Sequence, residues 1–225
     1  TTTKTRVIGN LHQMLRVDEE ICDSLTKPLQ LQLFDRIESI LKKKKIDAII
    51  FEDYDKGILG ANLIEKIVKL ANSKGIPTTV DPKKNNFLAY KNVHLFKPNL
   101  RELKEGLHID GDISQLEKLK KAVVELNKKI ASKITLITMS EKGVFFSSGK
   151  SEKLIPAHVR SISDVSGAGD TVIALATLCL AKNTPLEFLA SLSNLAGGLV
   201  CEKVGVVSVD KKQLLQEALL LLAEK

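Results

Sequence analysis

Four short apolar runs, at residues 46–51, 76–80, 93–96 and 134–138, constrain this chain most, because each is nearly continuous and amphipathic stretches separate them. Strands covered on both faces read this way, whereas strands with one wet face alternate. Between the runs, residues 60–74 place Leu63, Ile64, Ile67, Val68 and Ala71 on one helical face, and residues 114–131 do the same with Leu116, Leu119, Val123, Leu126 and Ile130. Gly75-Ile76-Pro77 stops the first of these helices and opens the next strand. Alternating strands and helices of these lengths predict a parallel sheet with right-handed crossovers, an α/β fold. Residues 144–155 depart from the alternation: two strand-like runs flank a polar, Gly-containing turn, which predicts a hairpin. Helical patterns return at 167–182, 185–201 and 210–223, and at the start residues 3–8 and 13–17 read as two edge-type strands joined by a turn. A chain of 225 residues, 44% hydrophobic and without repeats or a low-complexity linker, predicts one domain with one sizeable core.

No apolar run approaches the roughly 20 residues that span a bilayer, and Thr1-Thr2-Thr3-Lys4-Thr5-Arg6 lacks the apolar segment of a signal peptide, so no membrane and a cytoplasmic location are expected. Cys22, Cys179 and Cys201 are odd in number and lack CxxC spacing, which argues for reduced thiols. The formal net charge is +7, and the densest basic block, Lys42 to Lys45, closes a predicted helix, where lysines favour the negative end of the dipole. No aromatic residues interleave with it, so a solvated helix end is expected rather than a nucleic-acid surface. Gly149-Lys150-Ser151 imitates the end of a P-loop but falls in the predicted hairpin, and Gly167-Ala168-Gly169 lacks the third glycine of a dinucleotide fingerprint.

The chemistry concentrates in Asp164-Val165-Ser166-Gly167-Ala168-Gly169-Asp170-Thr171, which runs straight into a helical apolar stretch. The first N–H groups of a helix have no intrahelical partner, and the peptide dipoles place about half a positive charge there, so an anion sits well at Gly167 to Gly169. Asp170, in the first turn, could accept a proton from a hydroxyl, a combination suited to phosphoryl transfer to an alcohol. From these residues alone, a Gly-rich turn with an aspartate capping a helix stays equally open.

This signature resembles that of the PfkB, or ribokinase-like, sugar kinases, D-[TV]-[TS]-G-A-G-D. Asp53-Tyr54-Asp55-Lys56-Gly57, Val80-Asp81-Pro82-Lys83 and Lys97-Pro98-Asn99-Leu100-Arg101-Glu102 extend the likeness from the first residue to about Val209. Within the family it is greatest to the kinases of D-glycero-β-D-manno-heptose 7-phosphate, which serve lipopolysaccharide core synthesis. Lys84 stands where the family pattern has glycine. The resemblance implies a three-layer α/β/α sandwich with a mainly parallel sheet, with residues 1–18 as remnants of a small β lid and 19–225 as the nucleotide-binding core. The family's first strand and its Gly-Gly-Asn sugar-binding segment have no counterpart, so a kinase domain without its N-terminal part is expected. The HxGH nucleotidyltransferase module that some heptose kinases carry is also without a counterpart, and no second activity is expected.

It further implies ATP and Mg²⁺ as cofactors, Asp170 as general base, and Gly167, Ala168 and Gly169 as the cradle of the γ-phosphate. Asn99 and Glu102, three apart, read from spacing alone as a capping box, whereas the resemblance places them by the phosphates and Mg²⁺, the glutamate acting through water. Thr138, Ser140 and Gly143 match a nucleotide-binding T-x-[GS]-x-x-G pattern, and Asn194 matches an asparagine near adenine. Asp53, Lys56 and Lys83 follow strand ends, where open α/β sheets bind ligands, and are expected on the substrate side; a surface lysine is the alternative for Lys56 and Lys83. Arg16 and Asp18 fall where lid meets sugar, or else form a surface ion pair. His12, His94, His108 and His158 share no spacing, and none is assigned a catalytic role. Pairing through lid strands implies a homodimer. The expected reaction is phosphorylation of the C1 hydroxyl of the heptose 7-phosphate. The alternatives are another sugar or nucleoside kinase of the family, or a catalytically silent nucleotide-binding fragment.

Overall fold

The computed structural model describes residues 2–9, 12–158 and 160–223. Strands β1 (Thr3–Gly9) and β2 (His12–Glu19) form a separate antiparallel pair, as the two edge-type runs predict. The main sheet has six strands, β3 (Ile49–Glu52), β4 (Thr78–Asp81), β5 (Leu95–Phe96), β6 (Ile134–Thr138), β7 (Val144–Ser147) and β8 (Glu152–Ile155), side by side in that order. β3 to β6 are parallel, and β7 and β8 return antiparallel as the predicted hairpin. The helices are α1 (Lys27–Lys43), α2 (Ala61–Ser73), α3 (Leu100–Leu107), α4 (Leu116–Ile130), α5 (Ala168–Ala181), α6 (Leu186–Cys201) and α7 (Lys211–Ala223).

Side-chain alternation along the strands divides the core into two layers. Val80, Phe96, Ile137 and Phe145 face the apolar residues of α2, α3 and α4, with Phe87 and Phe96 packed edge to face at 5.2 Å. Leu95, Leu136, Val144 and Phe146 face the other way, onto α5 and α6. The result is the expected three-layer sandwich, with α7 packed on the outside of α6 through Leu214. Thr79, fully buried in β4, is satisfied by the hydroxyl of Thr177 on α5 at 2.7 Å, so this polar residue ties sheet to helix.

Three strands are shorter than their apolar runs. Ile46 to Ala48, Ile76 to Pro77 and Val93 to His94 lie outside the named ladders, yet Val93 is completely buried and its carbonyl accepts from the Lys133 amide. Apolar continuity reports burial, and burial extends past the ends of the hydrogen-bonded ladder. Among the described residues no strand pairs with the outer edge of β3, where Ile50 is 39% exposed, and α1 has no fully buried residue. Leu33, Phe34 and Ile37 of α1 pack only partly on the core beside an apolar cavity of about 720 Å³ that the β3 edge lines. No helix among the described residues is long and apolar enough to cross a membrane.

Candidate active site

The parallel strands deliver their last residues to one end of the sheet. Glu52 ends β3, Asp81 ends β4, Lys97 follows β5, and Thr138 ends β6 with a parallel bridge to Asn99. The N-terminus of α5 approaches this end from the other layer: a Cβ on Gly169 would stand 3.5 Å from both Asp81 Oδ2 and Lys97 Nζ. Carboxyl ends of parallel strands facing a helix N-terminus are where α/β sheets bind anionic ligands.

Carboxylate oxygens of Glu52, Asp81 and Asp170 lie within 4.8 Å of one another. Asp81 is buried and pairs with the almost wholly buried Lys97 at 3.0 Å, while Lys83 stands 3.8 Å from its other oxygen and also bonds Glu102. Burial, then the charges of Asp81 and Asp170, push the Glu52 carboxyl up to about 7 despite Lys97 and Lys83. Burial likewise raises Asp81. Burial pulls Lys83 down, but Asp81 and Glu102 more than offset it and its net displacement is upward. Asp81 Oδ1 is buried with no hydrogen-bond partner among the described residues. Clustered hard oxygens under mutual repulsion, one of them without a donor, suit a hard divalent cation such as Mg²⁺.

The glycine loop is held at its root. Asp164 accepts from the amides of Ser166 at 2.9 Å and Gly205 at 3.0 Å, which keeps its carboxyl below the usual range. Gly167 caps α5 in the left-handed conformation, and Thr171 closes the first turn by donating from N and Oγ1 to the Gly167 carbonyl. Ala168, Gly169 and Asp170 therefore form that turn, with Asp170 exposed and Tyr54 Oη donating to its Oδ2 at 3.1 Å.

Thr138, Ser140 and Gly143 form the turn from β6 into β7, closed by Met139 N–H to the Gly143 carbonyl at 2.8 Å. A Cβ at Gly143 would lie 2.0 Å from the Ile155 carbonyl oxygen, and its φ of 90° is one that side chains resist, so this position requires glycine. Asn194 of α6 reaches the same end, donating to the Pro156 carbonyl at 2.9 Å.

Other expected site residues are held by the fold. Asp53 is buried and accepts from Tyr90 Oη at 2.6 Å, Asn86 Nδ2 at 3.0 Å and the Asp55 amide at 2.9 Å, a satisfied internal hub. Lys56 pairs with Glu20, and Arg16 pairs with Asp18 at 3.0 Å. Asn99 and Glu102 form the full capping box, Glu102 N to Asn99 Oδ1 at 2.8 Å and Asn99 N to Glu102 Oε2 at 3.0 Å, with Lys83 on the remaining oxygen of Glu102. Lys83 thus links the NxxE segment to Asp81. Glu52, Tyr54 and Lys97 join the site without having been singled out in sequence. The signal for Glu52 and Lys97 is their position: each follows the last apolar residue of a buried strand.

The fold is that of the carbohydrate-kinase class. The pfkB family carbohydrate kinase profile matches residues 23–213, and the chain belongs to this family, whose members pass a phosphoryl group to a sugar hydroxyl. It is 37% identical over 217 residues to the bifunctional protein HldE of Methylobacillus flagellatus, covering 96% of this chain and 44% of that protein. It is 36% identical over 205 residues to HldE of Helicobacter pylori, covering 91% and 43%. The chain therefore spans less than half the length of these relatives. Among solved structures, Escherichia coli phosphofructokinase-2 in complex with potassium superposes with a TM-score of 0.78 at 19% identity, over 92% of this chain and 67% of that one. Arabidopsis thaliana ribokinase complexed with ribose and ATP gives 0.70 at 14%, over 91% and 65%, and both place the fold as ribokinase-like.

Proposed function

We propose that this chain belongs to an ATP-dependent kinase acting on the C1 hydroxyl of D-glycero-β-D-manno-heptose 7-phosphate to give the 1,7-bisphosphate. The observation that supports it most is Asp170, exposed in the first turn of α5 at the carboxyl end of a parallel sheet. The acceptor oxygen attacks the γ-phosphorus as the bond to the ADP oxygen breaks, and the hydroxyl proton passes to Asp170. The first-turn amides at Gly167 and Gly169 would meet charge on the transferred group, and the Ala168 amide, which donates to the Val165 carbonyl at 3.3 Å, would join them on leaving that bond. Thr138, Ser140 and Gly143 shape the nucleotide side, with Asn194 toward adenine. Mg²⁺, when bound with ATP, would neutralise phosphate charge; Glu52 and Asp81 would hold it directly and Glu102 through water, with Asn99 fixing Glu102. Lys83 would meet phosphate, Lys56 and Arg16 would serve the sugar side on release from Glu20 and Asp18, and Asp53 sets the loop that carries Lys56.

Sequence identity to the HldE proteins favours heptose 7-phosphate over other sugars, and the family habit of lid pairing favours a homodimer through β1 and β2. Mg²⁺-dependent ADP release with heptose 7-phosphate beside fructose 6-phosphate, ribose and adenosine tests the reading. Turnover on heptose 7-phosphate that Asp170→Asn abolishes supports it; equal turnover on another sugar transfers the assignment to that sugar. ATP binding with no turnover on any of them would leave a nucleotide-binding fragment in its place.

A further inference from the structure

Tyr54 stands at the acidic end of the sheet, and its surroundings are peculiar. It is 46% exposed, so its burial contributes little to the core, yet its hydroxyl donates to Asp170 Oδ2 at 3.1 Å across 116 residues of sequence. The loop that carries it is over-determined. Asp53 receives the Asp55 amide at 2.9 Å, Asp55 sits at φ 54° and accepts from the Asn85 amide at 3.2 Å, and Leu25 N–H bonds the Gly57 carbonyl at 3.0 Å. Gly57 has φ 76°, and a Cβ there would lie 2.0 Å from the Asp23 carbonyl oxygen, so the loop shape depends on glycine. Rigid backbone on both sides of an exposed tyrosine directs its hydroxyl to one place, the oxygen of Asp170. On the ring's other side, Lys4 Nζ of β1 stands 5.3 Å from the centroid, a cation–π distance.

We propose that Tyr54 is a positioning residue for Asp170, holding Oδ2 so that Oδ1 faces the acceptor hydroxyl, and that Lys4 on the ring couples this arrangement to the β1–β2 pair. The inference rests on the kinase reading of Asp170. A base held within a few tenths of an ångström and a few degrees of its working geometry transfers a proton efficiently, whereas a freely rotating carboxylate spends most of its time misaligned. Burial and the neighbouring Asp170 push the Tyr54 phenol up to about 12, so it remains a donor at neutral pH. The pairing of β1 with β2 sets the height of Lys4 over the ring, since Lys4 is registered against Asp18. Movement of these strands is thereby felt at the base.

The test uses two readouts on the full chain. Tyr54→Phe keeps the ring and the Lys4 contact and removes only the hydroxyl; kcat on the best acceptor should fall about tenfold, with KM for ATP unchanged within about twofold. Lys4→Met should lower kcat by a smaller factor in the same direction. The second readout needs no turnover. The chain has two tyrosines and no tryptophan, so tyrosine emission reports them directly, and a phenol bonded to a carboxylate is quenched. Asp170→Asn should raise emission in the wild-type chain and leave it unchanged in Tyr54→Phe. Wild-type kcat in Tyr54→Phe, beside an Asp170→Asn variant that has lost turnover, would overturn the positioning role. Emission indifferent to Asp170→Asn would overturn the contact itself, whether or not the chain phosphorylates a sugar, so failure of the kinase reading is distinguishable from failure of this one.

Discussion

At the scale of single residues, the acidic cluster carries the clearest electrostatic prediction. Glu52 holds its proton to about 7 in the folded chain against 4.5 as an ordinary carboxyl, so between those pH values the folded state binds a proton that the unfolded state has released. Stability of the cation-free protein therefore falls as pH rises through that window, and Asp81, also displaced upward by burial, acts in the same direction. Melting temperatures at pH 5.5 and 8 should diverge for the wild type and converge for Glu52→Gln, and Mg²⁺ should restore more at the higher pH; parallel curves for the two proteins would remove Glu52 from the cation site. Asp170→Asn should cost at least about a hundredfold in kcat with ATP binding retained, measured by ADP release and nucleotide titration, because it deletes a proton acceptor and leaves the first-turn amides in place. These residues differ in how far the sequence disclosed them. Asp170 sits in a contiguous signature, whereas the end of a buried strand marks only the place of Glu52, and its raised pKa comes from burial and from two distant carboxylates that no local pattern encodes.

At the scale of elements, apolar continuity located β3 to β6, the polar Gly-containing turn located the β7–β8 hairpin, and helical periodicity located α2, α4, α5 and α6 within a few residues. β5 shows the limit: its ladder is two residues long although the apolar run is longer, and beyond it the Val93 carbonyl accepts from the Lys133 amide while His94 donates to the Thr78 carbonyl and accepts from the Ile134 amide. The Asn99–Glu102 spacing yields the complete capping box that spacing alone predicts, and its glutamate also meets Lys83 beside Asp81. The β6–β7 turn is the element most exposed to a single substitution. Gly143→Ala would force a methyl against the Ile155 carbonyl at a φ that alanine resists, and we expect a loss of roughly 3 kcal/mol in urea unfolding, together with a raised KM for ATP. Unchanged unfolding in that variant would mean that the hairpin can shift away from the turn. Behind the glycine loop, Arg160 bonds Glu202 at the end of α6 and Glu217 of α7 from a nearly buried position. Arg160→Met should therefore reduce stability and loosen nucleotide binding together, since the loop root and both helices share that one guanidinium.

At the scale of the whole molecule, the β1–β2 ribbon and the outer edge of β3 both expose apolar residues, and they should behave differently. The β1–β2 pair exposes Val7, Ile8, Met14, Leu15 and Val17 on a two-stranded ribbon, and such a ribbon gains most by pairing with a copy of itself about a twofold axis, which closes the assembly at two. The outer edge of β3 has Ile50 exposed beside the apolar cavity, and no strand is paired to it among the described residues. An edge of that kind can accept any strand, and association through it need not close. Light scattering over a range of protein concentrations separates the two. Leu15→Lys, on the ribbon, should convert a discrete dimer into monomer and leave slow, concentration-dependent growth unchanged. Ile50→Lys should suppress that growth and leave the dimer intact, because a lysine on an edge strand opposes addition of a neighbour without touching the ribbon. A single substitution that abolished both would show that one surface serves both associations, with β1–β2 docking on β3 of a second copy, and would replace the twofold ribbon with a head-to-tail arrangement.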